Sequence, residues 1–140
     1  MRFDYQKVPI PARPQAPWIP YPLIKIRLSH KERYIQLDAL VDSGAAASLF
    51  HASIAQDLSI DLKTGLKHQF FGISGHAIDA YFHEINLQVV GLNKPIKVAV
   101  AFTESPGISA LLGQADFFQH HQIKFERYKE RMDIEPAKKN

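Results

Sequence analysis

The chain has 140 residues, of which 46% are hydrophobic and 22% are charged, a composition that fits one globular domain with its own core. It contains no cysteine, which excludes a disulfide scaffold, a thiol nucleophile and a cysteine-ligated metal centre. The formal net charge is +3, but acidic and basic residues alternate along most of the chain, so no nucleic-acid-binding surface is predicted.

Residues 1–22 are predicted to form a proline-rich N-terminal arm. Residues 1–7 lack the apolar segment of a signal peptide or membrane anchor, so a cytoplasmic protein without membrane contact is expected. Six of the nine prolines lie between Pro9 and Pro22, a density that prevents helix and favours extended backbone. We interpret the segment as an ordered arm laid on the domain by Trp18. A ligand for a proline-binding module and a segment removed by self-processing are the alternatives.

Residues 23–136 are predicted to form a mostly β domain, followed by a short tail over residues 137–140. Apolar residues alternate with polar ones between turn residues, a pattern typical of strands. The predicted strands cover residues 23–28, 34–40, 70–82, 84–90, 96–102, 123–125 and 132–134. Helical spacing of apolar residues predicts a short helix within residues 46–58, with Ser48 as a cap, and a second helix over residues 114–121. The expected fold is a closed or sandwich-like β-barrel with one or two short helices.

The most informative segment is residues 39–45, where an apolar run leads directly into Asp42, Ser43 and Gly44. A carboxylate at the end of a buried strand loses hydration, so it needs hydrogen-bond donors around it. Gly44 allows a close backbone turn, and Ser43 offers a hydroxyl group. Because Asp-Ser-Gly alone is also a common turn sequence, the interpretation depends on the flanking motifs.

The sequence resembles the retropepsin-like aspartic proteases, the single-lobe class that includes retroviral proteases and bacterial relatives. Four motifs match in order over residues 23–136. They are the apolar-apolar-Asp-Ser-Gly-Ala run of residues 40–45, the glycine-containing residues 71–75, Ala110-Leu111-Leu112-Gly113 followed by Asp116-Phe117-Phe118, and a closing hairpin within residues 123–134. The closing hairpin is similar to that of the bacterial members. The resemblance implies a β-barrel of the single-lobe acid protease type.

The resemblance also implies an aspartic endopeptidase with Asp42 as its catalytic residue, in a loop with Ser43, Gly44 and Ala45. Peptide hydrolysis requires one group to deprotonate water and another to protonate the leaving nitrogen, and two close carboxylates sharing one proton can do both. The other acids do not repeat the signature around Asp42. The second carboxylate is therefore expected from Asp42 of another copy, in a homodimer that binds a polypeptide substrate.

Residues 70–82 are expected to form a flap that covers a bound peptide and opens to release it. The residues expected in the flap tip and in substrate binding are Gly72, Ile73, Ser74, Gly75 and His76. The residues expected to support the catalytic loop are Leu111, Leu112 and Gly113.

Gln114 stands where many retroviral members have an arginine that braces the dimer, so the bracing is expected to differ. The alternative function is a retropepsin-like module that dimerises or binds peptides with little or no hydrolysis. No cofactor and no metal are predicted, because the seven histidines lack the spacing of a metal site. The pair His120-His121 is interpreted instead as the solvated end of the second helix.

Overall fold

Strands dominate the computed structural model, which describes residues 1–10, 15, 18–72, 75–92 and 94–138. The strands within these ranges are β1 (Arg2–Asp4), β2 (Gln6–Pro9), β3 (Trp18–Tyr21), β4 (Leu23–His30), β5 (Arg33–Val41), β6 (Leu49–His51), β7 (Leu66–Phe71), β8 (Ala77–Val89), β9 (Ile96–Thr103), β10 (Ala110–Leu112), β11 (His121–Glu126) and β12 (Arg131–Pro136). They are joined by one α-helix, α1 (Ala52–Asp57), and by the 3-10 helices Leu62–Thr64, Phe118–His120 and Arg127–Lys129.

Six strands close into a barrel. Seven strands form one sheet in the order β4-β5-β10-β6-β9-β8-β7, and β4 also pairs with β8. This second pairing is possible because β8 has 13 residues: its first part pairs with β7 and its last part with β4. The predicted fold class, mostly β with a closed barrel, is confirmed by these pairings.

The barrel interior is filled by alternate residues of its strands. In β4, for example, Ile24, Ile26 and Leu28 are buried, whereas Lys25 and Arg27 between them are exposed. Each fully buried aliphatic side chain stabilises the fold by roughly 1.5 to 3 kcal/mol. The alternation that predicted strands over residues 23–28 and 34–40 therefore has its physical origin in this core.

Two strand pairings in the barrel are parallel, and nothing in the sequence pattern predicts them. β10 runs parallel to β5, with Leu111 beside Leu40 and Leu112 beside Val41, and β6 runs parallel to β9. Because parallel strands end at the same edge of a sheet, the residues after Val41 and after Leu112 leave the barrel side by side.

The first helix is shorter than predicted for residues 46–58. β6 occupies part of this range, and α1 begins only at Ala52. β6 lies between β9 and β10, and burial in the sheet outweighs the helical spacing of its apolar residues. The predicted cap is also wrong: the helix is capped by His51, whose Nδ1 accepts the Ser53 N–H at 3.1 Å, and not by Ser48.

The second helix predicted over residues 114–121 is wrong. Residues 114–117 form turns, one 3-10 turn follows, and β11 begins at His121. His121 is buried, its ring stacks on Phe117 with 4.3 Å between the centroids, and burial lowers its pKa. His121 is therefore not part of a solvated helix end, whereas His120 is exposed.

The boundaries of the strands predicted over residues 70–82 and 84–90 are wrong, because these residues belong to a hairpin of β7 and β8. β7 ends at Phe71, and β8 runs from Ala77 without a break to Val89. The closing hairpin, by contrast, is confirmed as β11 and β12.

The N-terminal residues are in contact with the domain. β1 pairs with β12, and β2 pairs with β3. Trp18 is 55% exposed and does not anchor this segment; the Gln6 side chain donates to the Leu23 carbonyl and to Asp38, each at 3.4 Å. The predicted boundaries of the arm, the domain and the tail, after residues 22 and 136, remain predictions. In the described part of the chain, no helix is long and apolar enough to cross a membrane.

Candidate active site

Asp42 lies at the point where β5 leaves the barrel. The preceding Val41 is 3% exposed, and its N–H donates to the Pro22 carbonyl at 2.9 Å. The Asp42 N–H donates to the Leu112 carbonyl at 3.0 Å, which continues the parallel pairing of β5 with β10 by one residue. The backbone of Asp42 is thus fixed by the barrel on both sides.

The carboxylate of Asp42 is oriented by its own turn. The Gly44 N–H donates to Asp42 Oδ1 at 2.9 Å, and the Ala45 N–H donates to the Asp42 carbonyl at 3.2 Å. A Cβ atom on Gly44 would lie 3.2 Å from Oδ1, so glycine allows this close approach. Asp42 is partly buried, whereas Ser43 and Gly44 are exposed. Within the described residues, no hydrogen bond to Oδ2 is present.

One short segment holds the whole loop of residues 42–48, which we call the Asp42 loop. This supporting segment, residues 112–116, begins at Leu112, the last residue of β10, and continues beyond the strand. The Gln114 N–H donates to the Ala45 carbonyl and the Ala115 N–H to the Ala46 carbonyl, both at 2.9 Å. The Gln114 side-chain amide donates to the Ser43 carbonyl at 2.7 Å.

Gly113 is the point of closest contact between the supporting segment and the Asp42 loop. A Cβ atom at this position would lie 2.4 Å from the Ala47 carbonyl carbon and 2.8 Å from the Ala45 carbonyl oxygen. Any side chain would therefore push the two backbones apart. Leu112 is fully buried in the main core.

Leu111 lies elsewhere. It belongs to a second apolar cluster that extends under the β7–β8 hairpin. The buried members of this cluster are Leu49, Ala80 and Ala101, and its partly buried members are Phe70, Phe82, Ile108 and Leu111. Leu111 thus links β10 to the hairpin, while its neighbour Leu112 faces the core.

Asp116, which the third motif contains but to which the sequence assigns no role, is a buried acid behind the loop. Asp116 is 4% exposed, and its Oδ2 accepts the Ser48 N–H at 2.8 Å while the Ser48 hydroxyl donates to Oδ1. The Ser48 hydroxyl in turn accepts the Gly113 N–H at 3.0 Å. Burial raises the pKa of Asp116, and the hydrogen bonds from Ser48 lower it in part. An acid within an apolar run was the available signal, since such a residue is buried only with partners.

The predicted flap residues lie around the tip of the β7–β8 hairpin. The Gly72 N–H donates to the His76 carbonyl at 3.3 Å, and the Gly75 N–H donates to the Gly72 carbonyl at 2.9 Å. Gly75 has φ of 79°, a left-handed conformation that favours glycine. Ile73 and Ser74 lie outside the described residues.

Other acids near the barrel are engaged at the surface. Asp38 pairs with Lys25 at 3.8 Å, and Asp79 of β8 pairs with Lys67 at 3.7 Å. Nowhere in the described ranges do three histidine or acidic side chains lie close enough to hold a metal ion.

Comparison with known proteins finds a likeness at the level of structure and not of sequence family. The sequence matches no family model and no curated protein. The solved structure of EIAV protease in complex with an inhibitor is similar to this chain, with 20% sequence identity and a TM-score of 0.49. The match covers 66% of this chain and 81% of the other. The fold class of this chain rests on its own strand pairings.

Proposed function

We propose that the protein is an aspartic endopeptidase of the retropepsin-like, bacterial type, which hydrolyses peptide bonds as a homodimer. The observation that carries this proposal is the geometry of Asp42. Its backbone is fixed by the barrel, its Oδ1 is oriented by the Gly44 N–H at 2.9 Å, and its flanking Ser43 and Gly44 are exposed. An oriented carboxylate in an exposed turn is suited to meet a second carboxylate.

The second carboxylate is proposed to come from another copy of the chain. Asp116 is the acid of the supporting segment, but both of its oxygens are bound by Ser48 in the protein interior. Asp38 and Asp79 pair with surface lysines. A twofold axis through the exposed Ser43-Gly44 turn would bring two Asp42 side chains together and cover the turn.

In the proposed reaction, one Asp42 carboxylate takes a proton from water as the water oxygen attacks the peptide carbonyl carbon. The protonated Asp42 of the second copy donates a hydrogen bond to the carbonyl oxygen. The proton that the first Asp42 took from water then passes to the amide nitrogen as the carbon–nitrogen bond breaks, which releases a carboxylic acid and an amine and restores both Asp42 side chains. Two like charges in contact are costly, so the pair holds one proton between two carboxylates.

The β7–β8 hairpin is proposed to act as a flap over the bound peptide. Its tip contains Gly72 and Gly75, and its base packs on the second apolar cluster through Phe70 and Phe82. A firm base with a glycine-containing tip suits an element that must exclude water and yet open. Gly72, Ile73, Ser74, Gly75 and His76 are the residues proposed to contact the peptide.

The test is cleavage of a diverse peptide library at acidic to neutral pH by the wild type and by the Asp42→Asn variant. We expect the substitution to lower the cleavage rate by about 100- to 10,000-fold, the usual contribution of a general acid–base group. A statine-type transition-state mimic should inhibit the wild type. The matched control is Asp38→Asn, which should leave cleavage unchanged. Asp38 is an exposed acid of β5, the strand that leads into Asp42.

Cleavage that persists in a folded, dimeric Asp42→Asn variant would contradict the assignment of Asp42. A wild type that cleaves nothing across the library and the pH range would contradict the peptidase proposal and favour the peptide-binding or dimerisation module.

A further inference from the structure

Gln114 is attached to the Asp42 loop at two points. Its backbone N–H donates to the Ala45 carbonyl at 2.9 Å, and its side-chain Nε2 donates to the Ser43 carbonyl at 2.7 Å. The side-chain bond spans 71 positions of the sequence. It is the contact through which a side chain of the supporting segment reaches the exposed turn.

The carbonyl bound by Gln114 belongs to the peptide group that orients Asp42. The Ser43 C=O and the Gly44 N–H are the two polar ends of one planar peptide unit, so fixing the direction of one fixes the other. The Gly44 N–H is the donor to Asp42 Oδ1, at 2.9 Å. A rotation of this peptide unit would break both hydrogen bonds together.

Burial does not restrain this peptide unit. Ser43 and Gly44 are both exposed, and glycine allows a wide range of backbone angles. The turn therefore depends on hydrogen bonds for its conformation. The C=O of this unit accepts from Gln114 and its N–H donates to Asp42, so each hydrogen bond polarises the unit in favour of the other.

We infer that Gln114 is a positioning residue for Asp42: its side-chain amide holds the Ser43–Gly44 peptide unit in the orientation that presents the Gly44 N–H to the Asp42 carboxylate. The catalytic consequence rests on the proposed function, whereas the effect on the turn does not. In this role Gln114 acts on Asp42 through the loop.

The chemical requirement at this position is a hydrogen-bond donor. Gln114→Glu preserves the shape of the side chain but replaces the donor by a carboxylate, which repels the Ser43 carbonyl. When protonated, near its ordinary pKa of roughly 4.3, the new carboxyl group can donate again. Gln114→Arg keeps donors at all pH values. The exposed Gln119→Glu variant introduces the same charge five residues along the chain and serves as the control.

The first readout is hydrogen exchange of the Gly44 amide, measured by NMR in the intact protein. At neutral pH we expect exchange to be roughly five- to tenfold faster in Gln114→Glu than in the wild type, the equivalent of one lost hydrogen bond. The Gln114→Arg and Gln119→Glu variants should match the wild type. Equal Gly44 exchange in Gln114→Glu and Gln119→Glu would overturn the inference, whether or not the protein cleaves peptides.

The second readout is the pH profile of peptide cleavage. The turnover rate of Gln114→Glu should be about fivefold to tenfold below the wild type at neutral pH and should approach it as the pH falls below roughly 4.3. A deficit that is constant across the pH range would contradict the donor role. If the wild type cleaves nothing, the proposed function fails, and the exchange experiment still decides the role of Gln114 in the turn.

Discussion

At the scale of single residues, Asp116 shows how this chain buries a charge. The carboxylate lies in the interior beside apolar side chains, but both of its oxygens are matched by donors from Ser48. The Ser48 hydroxyl also accepts the Gly113 N–H. The Ser48 N–H, the Ser48 hydroxyl and the Gly113 N–H are thus all paired in the interior, where they have no access to water. This pairing connects the end of the Asp42 loop to the supporting segment.

Replacing Asp116 by alanine should therefore be costly. The Ser48 N–H and hydroxyl would remain buried without an acceptor, and each such group costs about 1 to 3 kcal/mol. We expect Asp116→Ala to lower the free energy of unfolding by about 3 kcal/mol, measured by urea denaturation. The exposed acid Glu135 is the control, since Glu135→Ala should change stability by less than about 0.5 kcal/mol. A loss below about 1 kcal/mol for Asp116→Ala would show that the network is not stabilising.

Asp116 should also make stability depend on pH. Because burial raises its pKa above the ordinary 3.8, the folded protein binds this proton more tightly than the unfolded chain does. The resulting stabilisation is complete below the ordinary pKa and is lost as the pH rises through the higher folded-state pKa. We expect the unfolding free energy of the wild type, relative to that of Asp116→Asn, to fall as the pH rises from about 3 to about 7.

The measurement is a series of urea denaturation curves for both proteins across this range. A wild-type advantage that grows with pH would mean that the Ser48 hydrogen bonds outweigh burial and hold the pKa of Asp116 below its ordinary value.

At the scale of elements, the central feature is the contact between the Asp42 loop and the supporting segment. Parallel pairing of β5 with β10 brings the two chain segments out of the barrel together, and Gly113 lets them touch. The hydrogen bonds from residues 112–116 then determine the path of the loop. The geometry of the Asp42 loop is thus a consequence of strand order in the barrel.

Gly113→Ala should separate these two segments. The added Cβ would lie 2.4 Å from a backbone atom of Ala47, a clash that no side-chain rotation relieves. We expect a loss of about 3 kcal/mol in unfolding free energy, together with faster hydrogen exchange in the Asp42 loop. Gly107 is the matched control because a Cβ there meets nothing within 4 Å, so Gly107→Ala should be neutral or slightly stabilising. Equal stability of the two variants would contradict the close contact.

The elements differ in how far the sequence predicts them. The β4–β5 and β11–β12 hairpins are predictable because strands and turns are adjacent in the chain and their alternating pattern is local. β6 and β10 have three residues each, too few for a pattern, and their burial depends on partners distant in sequence. The apolar spacing around β6 therefore predicts a helix, although these apolar residues are in fact buried by the neighbouring strands of the sheet.

The candidate site shows the same division. Asp42, Ser43 and Gly44 are recognisable because an acid, a hydroxyl and a glycine directly follow an apolar strand. The roles of Gln114 and Asp116 depend on hydrogen bonds to residues about 70 positions away, and only the parallel pairing of β5 with β10 brings them into reach. An acid within an apolar run marks Asp116 as a residue that needs partners, but no local pattern identifies Ser48 as that partner or assigns Gln114 its contact with Ser43.

At the scale of the whole molecule, the closed barrel presents one oriented Asp42. Its turn is exposed at the surface, and the acid of the supporting segment is engaged with Ser48. In the proposed function, one chain supplies half of each active site, so we expect cleavage to require Asp42 from two copies.

Mixing the wild type with the Asp42→Asn variant tests this claim most directly. Both proteins are held well above the dimer dissociation constant and allowed to exchange subunits before cleavage is measured. Random pairing of equal amounts leaves about one quarter of the dimers with two intact Asp42 residues, so cleavage per wild-type chain should fall to about half of its value without the variant. The Asp38→Asn variant, mixed in the same way, should cause no such loss. Cleavage per wild-type chain that stays constant as Asp42→Asn is added, with mixed dimers present, would contradict an active site shared between two copies.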